Sequence, residues 1–297
     1  VRVFSVLALF PLLCACDSDQ PIPERAREEV EVSARDGFHD STIVLEDANG
    51  RELTFRTPPQ RIISLIPSAS EIMVALGAGS LLVGRTDFDT SPSVTHLPSV
   101  GGGLHPNLEA IVALEPDLVI RFAGESDPAT PIRLDDLGIP HMALRPDGIR
   151  DIRGSILTLG TLAQRVEEAE ALLEGIDTTL AEIRARVGGR PRVRVGYLLG
   201  GTPPWVAGPG SYIEELLELA GGTNVFSDLT GLYGPVNEEI FLVREIDLLL
   251  APEGVEVSFP ERGIPLRRVS PSLEIPGPDL AQNAWALARI LHPEAFR

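Results

Sequence analysis

The chain has no lysine: its 25 basic residues are all arginine, set against 43 Asp and Glu, and the formal net charge is -18. Such a balance excludes a surface built to neutralise a phosphate backbone, so nucleic acid is not a partner. Cysteine is nearly absent. Cys14 and Cys16 are the only two, both at the N-terminus, so no disulfide holds the body. Aromatic residues make up only 5% of the chain, which makes their placement informative. Catalytic signatures are missing too. No Gly-x-Ser-x-Gly elbow and no Walker loop occur, and Gly77-Ala78-Gly79 lacks the third glycine of a dinucleotide loop. The histidines, His39, His96, His105, His141 and His292, show no ligand spacing, so no metal site and no catalytic residue is assigned.

What is present begins with Arg2 and the apolar run Val3 to Leu13, too short to span a bilayer and suited to a signal-peptide core. It ends Leu13-Cys14-Ala15-Cys16, which resembles the bacterial lipobox. That resemblance implies cleavage before Cys16 and lipidation of its thiol, with 1–16 as the leader; plain secretory cleavage nearby is the other reading. Residues 17–41 are acidic, contain proline and have no hydrophobic period, as expected of a flexible tether.

The body alternates strands and helices. Thr42–Glu46 and Glu52–Phe55 flank Asp47-Ala48-Asn49-Gly50, a hairpin signal. A buried strand over Arg61–Leu65 follows, then a helix over Ser68–Leu76 and a strand over Leu81–Gly84. Next come helix Asn107–Leu114, strand Asp117–Ile120, helix Pro131–Leu137 and strand His141–Leu144. Gly160 to Gly189 reads as one long helix of roughly 35–40 Å. Its face is Val166, Ala169, Leu173, Ile176, Leu180, Ile183 and Val187, with Thr161 and Gln164 as a capping box and Gly188-Gly189 as the stop. Beyond it come strand Arg192–Leu199, helix Ser211–Ala220, helix Asn237–Val243, strand Leu248–Leu250 and helix Asp279–Leu291. Residues 253–277 carry no assignable period. The expected fold is α/β: two doubly wound Rossmann-like lobes, 42–150 and 190–297, joined by connecting helices over 151–189 with one long backbone helix between them.

The halves repeat each other. The run from Asn107 to Ile120 aligns without a gap with that from Asn237 to Leu250, pairing Asn107 with Asn237, Glu109 with Glu239, Glu115 with Glu245 and Asp117 with Asp247. Repetition at this distance implies two related lobes, and a cleft at the carboxyl ends of their strands is where such sheets bind ligands.

Arg61 to Ile72, Leu76-Gly77-Ala78-Gly79, Val83-Gly84, Gly102-Gly103 and the run Pro106 to Ile120 resemble the helical-backbone periplasmic binding proteins of ABC importers, which carry cobalamin, ferric siderophores or haem. The resemblance is strongest to the cobalamin-binding type. It implies a monomeric, lipid-anchored substrate-binding protein in the periplasm or on the outer face of the cytoplasmic membrane. Its partners would be a small-molecule ligand and a permease dimer. It would hold no cofactor and carry out no catalysis. The ligand implied first is cobalamin or a related corrinoid; a ferric siderophore or haem is second. A two-lobed α/β enzyme is the rival from another class, and an envelope scaffold is a third. Matching motif by motif places Phe88, Phe122, Trp205 and Tyr233 around the cleft, where flat rings suit a macrocycle; core packing is their other reading. Where the type has a tryptophan, Gly101-Gly102-Gly103-Leu104-His105 stands, leaving His105 as a polar or metal-proximal contact or an exposed loop residue, and His105 or Tyr233 keeps haem open as the ligand. Arg85 and Arg121 are offered as anion contacts or surface ion pairs, and Asp87 and Asp89 as a cation pair or a solvated loop. Glu109 and Glu239 are implied as the permease-docking pair, although a carboxylate near a helix N-terminus is favourable by itself.

Overall fold

The computed structural model describes residues 42–124, 127–257 and 263–297; Cys16 and the 17–41 tether lie outside them. The hairpin forms as expected, β1 (Ile43–Glu46) antiparallel to β2 (Glu52–Phe55). Asp47 makes its turn. Oδ1 accepts from the N–H groups of Asn49 and Arg51 at 2.9 and 3.0 Å, and Oδ2 accepts from Ala143 N–H at 3.0 Å. One side chain thus closes the turn and staples it to the first lobe.

That lobe runs β3 (Ile62–Ser64), α1 (Pro67–Ala75), β4 (Leu82–Gly84), α2 (Leu108–Ala113), β5 (Leu118–Phe122), α3 (Ala129–Asp136) and β6 (His141–Leu144). Its sheet is parallel, in the order β4-β3-β5-β6. Alternation decides which face each strand residue buries. Ile62, Leu118 and Ile120 point to one core, Ile63 and Val119 to another.

The connection is made of helices as expected, but the long one does not run unbroken from Gly160. α4 (Ile149–Leu162) ends and α5 (Val166–Val187) begins, with a corner at residues 163–165. Gln164 lies at φ 53°, in the left-handed region that stops a helix. Thr161 caps nothing: its Oγ1 donates back to Leu157 O at 3.0 Å, inside α4. Gly160 permits the corner, because a Cβ there would sit 2.6 Å from Ala169 Cβ. The apolar stripe is otherwise as read. Ala169, Leu173, Ile176, Leu180, Ile183 and Val187 are buried, while Val166 is exposed at the corner. At 22 residues α5 is about 33 Å long.

The second lobe runs β7 (Val193–Gly200), β8 (Trp205–Ala207), α6 (Tyr212–Leu219), β9 (Gly222–Asn224), β10 (Tyr233–Pro235), α7 (Ile240–Val243), β11 (Leu248–Pro252), β12 (Leu266–Val269) and α8 (Leu280–Leu291). Its parallel strands lie in the order β9-β7-β11-β12, the same path as the first lobe, and β8 and β10 extend the carboxyl half of β7 antiparallel. The short strands β8, β9, β10 and β12 were not foreseen. The helix expected over Asn237–Val243 is a single turn, Ile240–Val243.

The duplication is physical. Along 107–121 and 237–251 the succession of buried, half-buried and exposed positions is the same, residue for residue. Asp117 accepts from the N–H groups of Gln60 and Arg61 at 2.7 and 2.9 Å; Asp247 accepts from Arg194 N–H at 2.9 Å. In each lobe an aspartate before the strand clasps the chain entering the central strand.

The lobes share one core. Residues of α1, α4, α5, α6 and α8, with one face of each sheet, form a single apolar cluster, while each lobe keeps a smaller core on its outer face. Glu215 of α6 adds a polar tie: its Oε2 accepts from Ile149 N–H at 2.6 Å, capping α4 from the opposite lobe.

Candidate functional site

A cavity of about 580 Å³ opens at the carboxyl ends of the first lobe's strands. Leu65 to Ser68 enter it from the β3–α1 turn, Phe88 from the loop after β4, residues 102–105 from the loop before α2, Phe122 from the end of β5 and Pro146 from beyond β6. The opposite wall is Glu274, Ile275 and Pro276, beyond β12. This crevice is where a doubly wound sheet leaves unfilled space. A second cavity of about 440 Å³ adjoins it through Gly103, Leu104 and Phe122, and contains Arg121, Arg145, Asp127 and Asp147.

The glycine run that stands in place of a tryptophan has a steric cause. A Cβ on Gly103 would come 2.5 Å from Leu65 O and 3.3 Å from the Phe122 ring, so only glycine lets this loop lie against β3. Leu104 and His105 then line the cavity mouth, both exposed.

The four aromatics fall into two pairs. Phe88, 67% exposed, and half-buried Phe122 wall the main cavity. Trp205 and Tyr233 do not. They sit on paired strands in a register that puts both on one face of the β8–β10 ribbon, at 46% and 40% exposure. Leu232, next to Tyr233, closes the adjoining cavity. Burial, with the charges of Asp147 and Glu274, pushes the Tyr233 phenol up to about 12, so its hydroxyl stays protonated and faces acidic groups from both lobes.

The charged candidates are mostly occupied. Arg85 NH1 donates to Thr86 O at 2.7 Å and braces its own loop. Asp89 is buried, its Oδ2 accepting from Thr86 N–H and Oγ1 at 2.8 and 2.6 Å, whereas Asp87 pairs with Ser99 at 2.5 Å. The two aspartates serve different partners, and no cation-binding cluster of His, Cys, Asp and Glu occurs among the described residues. Arg121 is buried; its Nε donates to His141 Nδ1 at 3.1 Å and NH1 donates to Phe122 O at 3.0 Å. With Nδ1 accepting, His141 Nε2 carries the proton and donates to Asp135 Oδ1 at 3.2 Å, and Arg51 NH1 lies 3.0 Å from the same nitrogen. Burial, then Arg121 and Arg51, hold this imidazole below its ordinary value and neutral. The relay fixes the end of β5 beneath Phe122.

Glu109 and Glu239 are both exposed and occupy equivalent places. Glu109 lies in the first turn of α2, which Asn107 caps by accepting from Ala110 N–H at 3.1 Å. Glu239 precedes α7 instead of lying in its first turn, and its N–H donates to Asn237 Oδ1 at 3.0 Å.

Two groups escaped the sequence reading. Glu71 of α1 faces the second lobe: a Cβ on Gly277 would sit 3.6 Å from its Oε2. Glu274 lies on the cavity wall, at the end of the one-turn helix Pro271–Glu274. The sequence signal for that turn was Ser270-Pro271, a cap residue followed by proline at the first helical position; Ser270 Oγ accepts from Ser272 N–H at 3.3 Å.

Residues 62–254 match the family model described as periplasmic binding protein, and the chain belongs to that family. It is 25% identical to the uncharacterized ABC transporter substrate-binding lipoprotein YvrC of Bacillus subtilis (strain 168), over 86% of this chain and 87% of that protein. It is 28% identical to a vitamin B12-binding protein of Vibrio cholerae serotype O1, over 66% of this chain and 71% of that one. In fold it is similar to the periplasmic heme-binding protein RhuT of Roseiflexus sp. RS-1, with a TM-score of 0.69, 23% identity, and 80% and 99% of the two chains covered.

The seam between the lobes makes stability depend on pH. Burial, then the charges of Asp279 and Asp89, raises the Glu71 carboxyl from 4.5 to about 7. Between those values the folded chain holds a proton that the unfolded chain has released, so stability falls as pH rises through that window. Glu71→Gln should leave stability at pH 5 near that of the parent and raise it at pH 8. The expected gain is about 1 kcal/mol, discounted for solvent screening of a half-exposed group. Urea denaturation at the two pH values reads it; an equal effect at both would show that Glu71 does not titrate in the window.

Proposed function

We propose that the protein is the substrate-binding component of an ABC importer and captures cobalamin or a related corrinoid in the cleft between its lobes. The observation that carries this reading is the apolar cavity at the strand ends, walled by Phe88, Phe122 and Leu104 from one lobe and Ile275 and Pro276 from the other. A flat macrocycle gains most from such aromatic and aliphatic walls. Membership of the periplasmic binding protein family and the likeness to a vitamin B12-binding protein support it. Haem is the second reading, favoured by Arg121 and Arg145 in the adjoining cavity, which suit carboxylates; a ferric siderophore stands beside it. The ligand is cargo, and the protein works without a cofactor, as a binding protein and not an enzyme.

Trp205 and Tyr233 offer their rings to the ligand from the β8–β10 ribbon beside the cavity. The chain has two tryptophans, and Trp285 is held elsewhere, 4.9 Å from the Phe296 ring with Arg186 over it. Trp205→Ala should therefore weaken cyanocobalamin binding by roughly 1–3 kcal/mol, the cost of a lost aromatic anchor, and abolish the fluorescence change on ligand addition. Unchanged affinity in the Trp205→Ala/Tyr233→Ala double variant would place the site elsewhere.

Delivery needs a dock and an anchor. Glu109 and Glu239 offer one exposed carboxylate per lobe at duplicated positions, matching a two-fold permease dimer. Rim charges of this kind set association rate and register more than ligand affinity. Glu109→Ala/Glu239→Ala should bind ligand normally yet fail to support uptake; normal uptake, or lost ligand affinity, contradicts the assignment. Cys16 is the lipid anchor, holding a monomer in the periplasm or on the outer face of the cytoplasmic membrane. If Cys16→Ser protein still sediments with membranes, another segment anchors it.

A further inference from the structure

The wall of the main cavity is apolar except at Ser68 and at two side chains that ionise, His105 and Glu274. No arginine lines it, in a chain whose other cavities do contain arginine. Glu274 comes from the second lobe, and its Oε1 is buried with no hydrogen-bond partner. Behind it stands Tyr197 of β7, fully buried, whose hydroxyl is also unpartnered. The two groups are close enough to act on each other without a well-aligned hydrogen bond: the carboxyl pushes the phenol up, and the phenol draws the carboxyl down, a smaller effect than burial. A carboxyl placed so, among apolar walls and without a cation, is stabilised as the neutral acid, and a neutral acid is a hydrogen-bond donor.

We propose that Glu274 is the specificity-determining residue of the cleft: it presents a carboxylic acid O–H to the ligand, so the site takes a macrocycle that offers an uncharged carbonyl oxygen there, such as a peripheral amide, and rejects one that offers a carboxylate. This rests on the corrinoid reading and sharpens it. An amide oxygen accepts the proton of the acid, whereas a ligand carboxylate in the same place puts two acidic groups against each other in a medium of low dielectric. Haem, with carboxylate side chains, is then confined to poses that reach the arginines of the adjoining cavity.

The surroundings point the same way. Burial pushes the Glu274 carboxyl up from its ordinary value and outweighs the downward pull of the Tyr197 hydroxyl. The groups that face it or its neighbours are Tyr197 on β7, Tyr212 on α6, Tyr233 on β10, His105 in the loop before α2, Asp147 beyond β6, and, through Tyr212, Glu71 and Asp279. None is an arginine that would hold Glu274 ionised. A covering ligand removes more water and favours the acid further. Ligand affinity is therefore full below the carboxyl's value in the free protein and is lost as pH rises through its value in the complex.

The test uses the full chain and measures cyanocobalamin affinity from pH 5 to 9 for wild type, Glu274→Gln and Glu274→Ala. A second arm gives the wild type cobyrinic acid, the corrinoid whose peripheral amides are all carboxylates. Gln keeps a neutral donor of the same shape, so Glu274→Gln should match the wild type at pH 5 within about twofold and lose the decline towards pH 9. Glu274→Ala should bind about tenfold more weakly at pH 5, the loss of one hydrogen bond to a buried group. Cobyrinic acid should bind the wild type at least about tenfold more weakly than cyanocobalamin. Wild-type affinity in Glu274→Ala at pH 5, a decline that survives in Glu274→Gln, or equal binding of the two corrinoids by the wild type would each overturn the proposal. If the wild type binds no corrinoid at any pH, the corrinoid reading itself fails, and this assignment with it. Those two failures are separated by the wild-type measurement alone.

Discussion

The structure depends on one apolar core that belongs to neither lobe. Ile62, Leu118 and Ile120 of the first sheet and Val195, Tyr197, Leu248 and Leu250 of the second are buried in the same cluster, with α5 between them supplying Leu173, Ile176, Leu180 and Ile183. Separating the lobes would expose this cluster to water, at roughly 25 cal/mol for each Å² uncovered. A loop-hinged pair of domains incurs no such penalty. Here the lobes are two ends of one packed body, and the corner at Gln164 is fixed by Gly160 lying against Ala169. Motion about α5 is accordingly expected to be a small rocking, with the cleft largely formed before any ligand arrives.

The site follows from that constraint. Both sheets use the shared core on one face and a private core on the other, so neither face has room for a ligand. What remains is the crevice beyond the strands' carboxyl ends. There the turns after β3 and β4, the end of β5 and the segment after β12 converge because the lobes cannot part. Gly103 admits the loop against Leu65, and Gly277 of the second lobe lies beside Ser68 and Glu71. Polar groups caught in the seam are held out of their ordinary protonation range. Glu71 and Glu274 are both raised, Tyr197 and Tyr212 as well.

Much of this was legible because periodicity reports burial. The stripe from Ala169 to Val187 and the repeat between Asn107 and Asn237 each record a one-sided environment, and the observed burial follows them position by position. The break at Gln164 was not legible, because Thr161 and Gln164 satisfy a capping pattern whose geometry they do not adopt, and a left-handed glutamine leaves no compositional mark. The second wall of the cavity was missed for a related reason. Residues 271–276 make a one-turn helix followed by Ile275 and Pro276, too short for any period to show. Arg85 and Asp89 looked available for ligands because a sequence lists charges but not their partners; Arg85 NH1 and Asp89 Oδ2 are taken up by their own loop, while Arg85 Nε and Asp89 Oδ1 are buried without a partner. Phe88 was placed on the cavity wall by motif position, whereas Trp205 and Tyr233 lie on a ribbon beside it, added to β7 by strands of three residues that alternation alone could not reveal.

The central claim is a preformed cleft on a rigid spine, and amide hydrogen exchange of the full chain with and without cyanocobalamin tests both halves at once. Slowed exchange is predicted at residues 65–68, 102–105 and 274–276, with no change along α5 from Val166 to Val187. Protection absent from those segments, or exchange in α5 that changes on binding, would contradict the account.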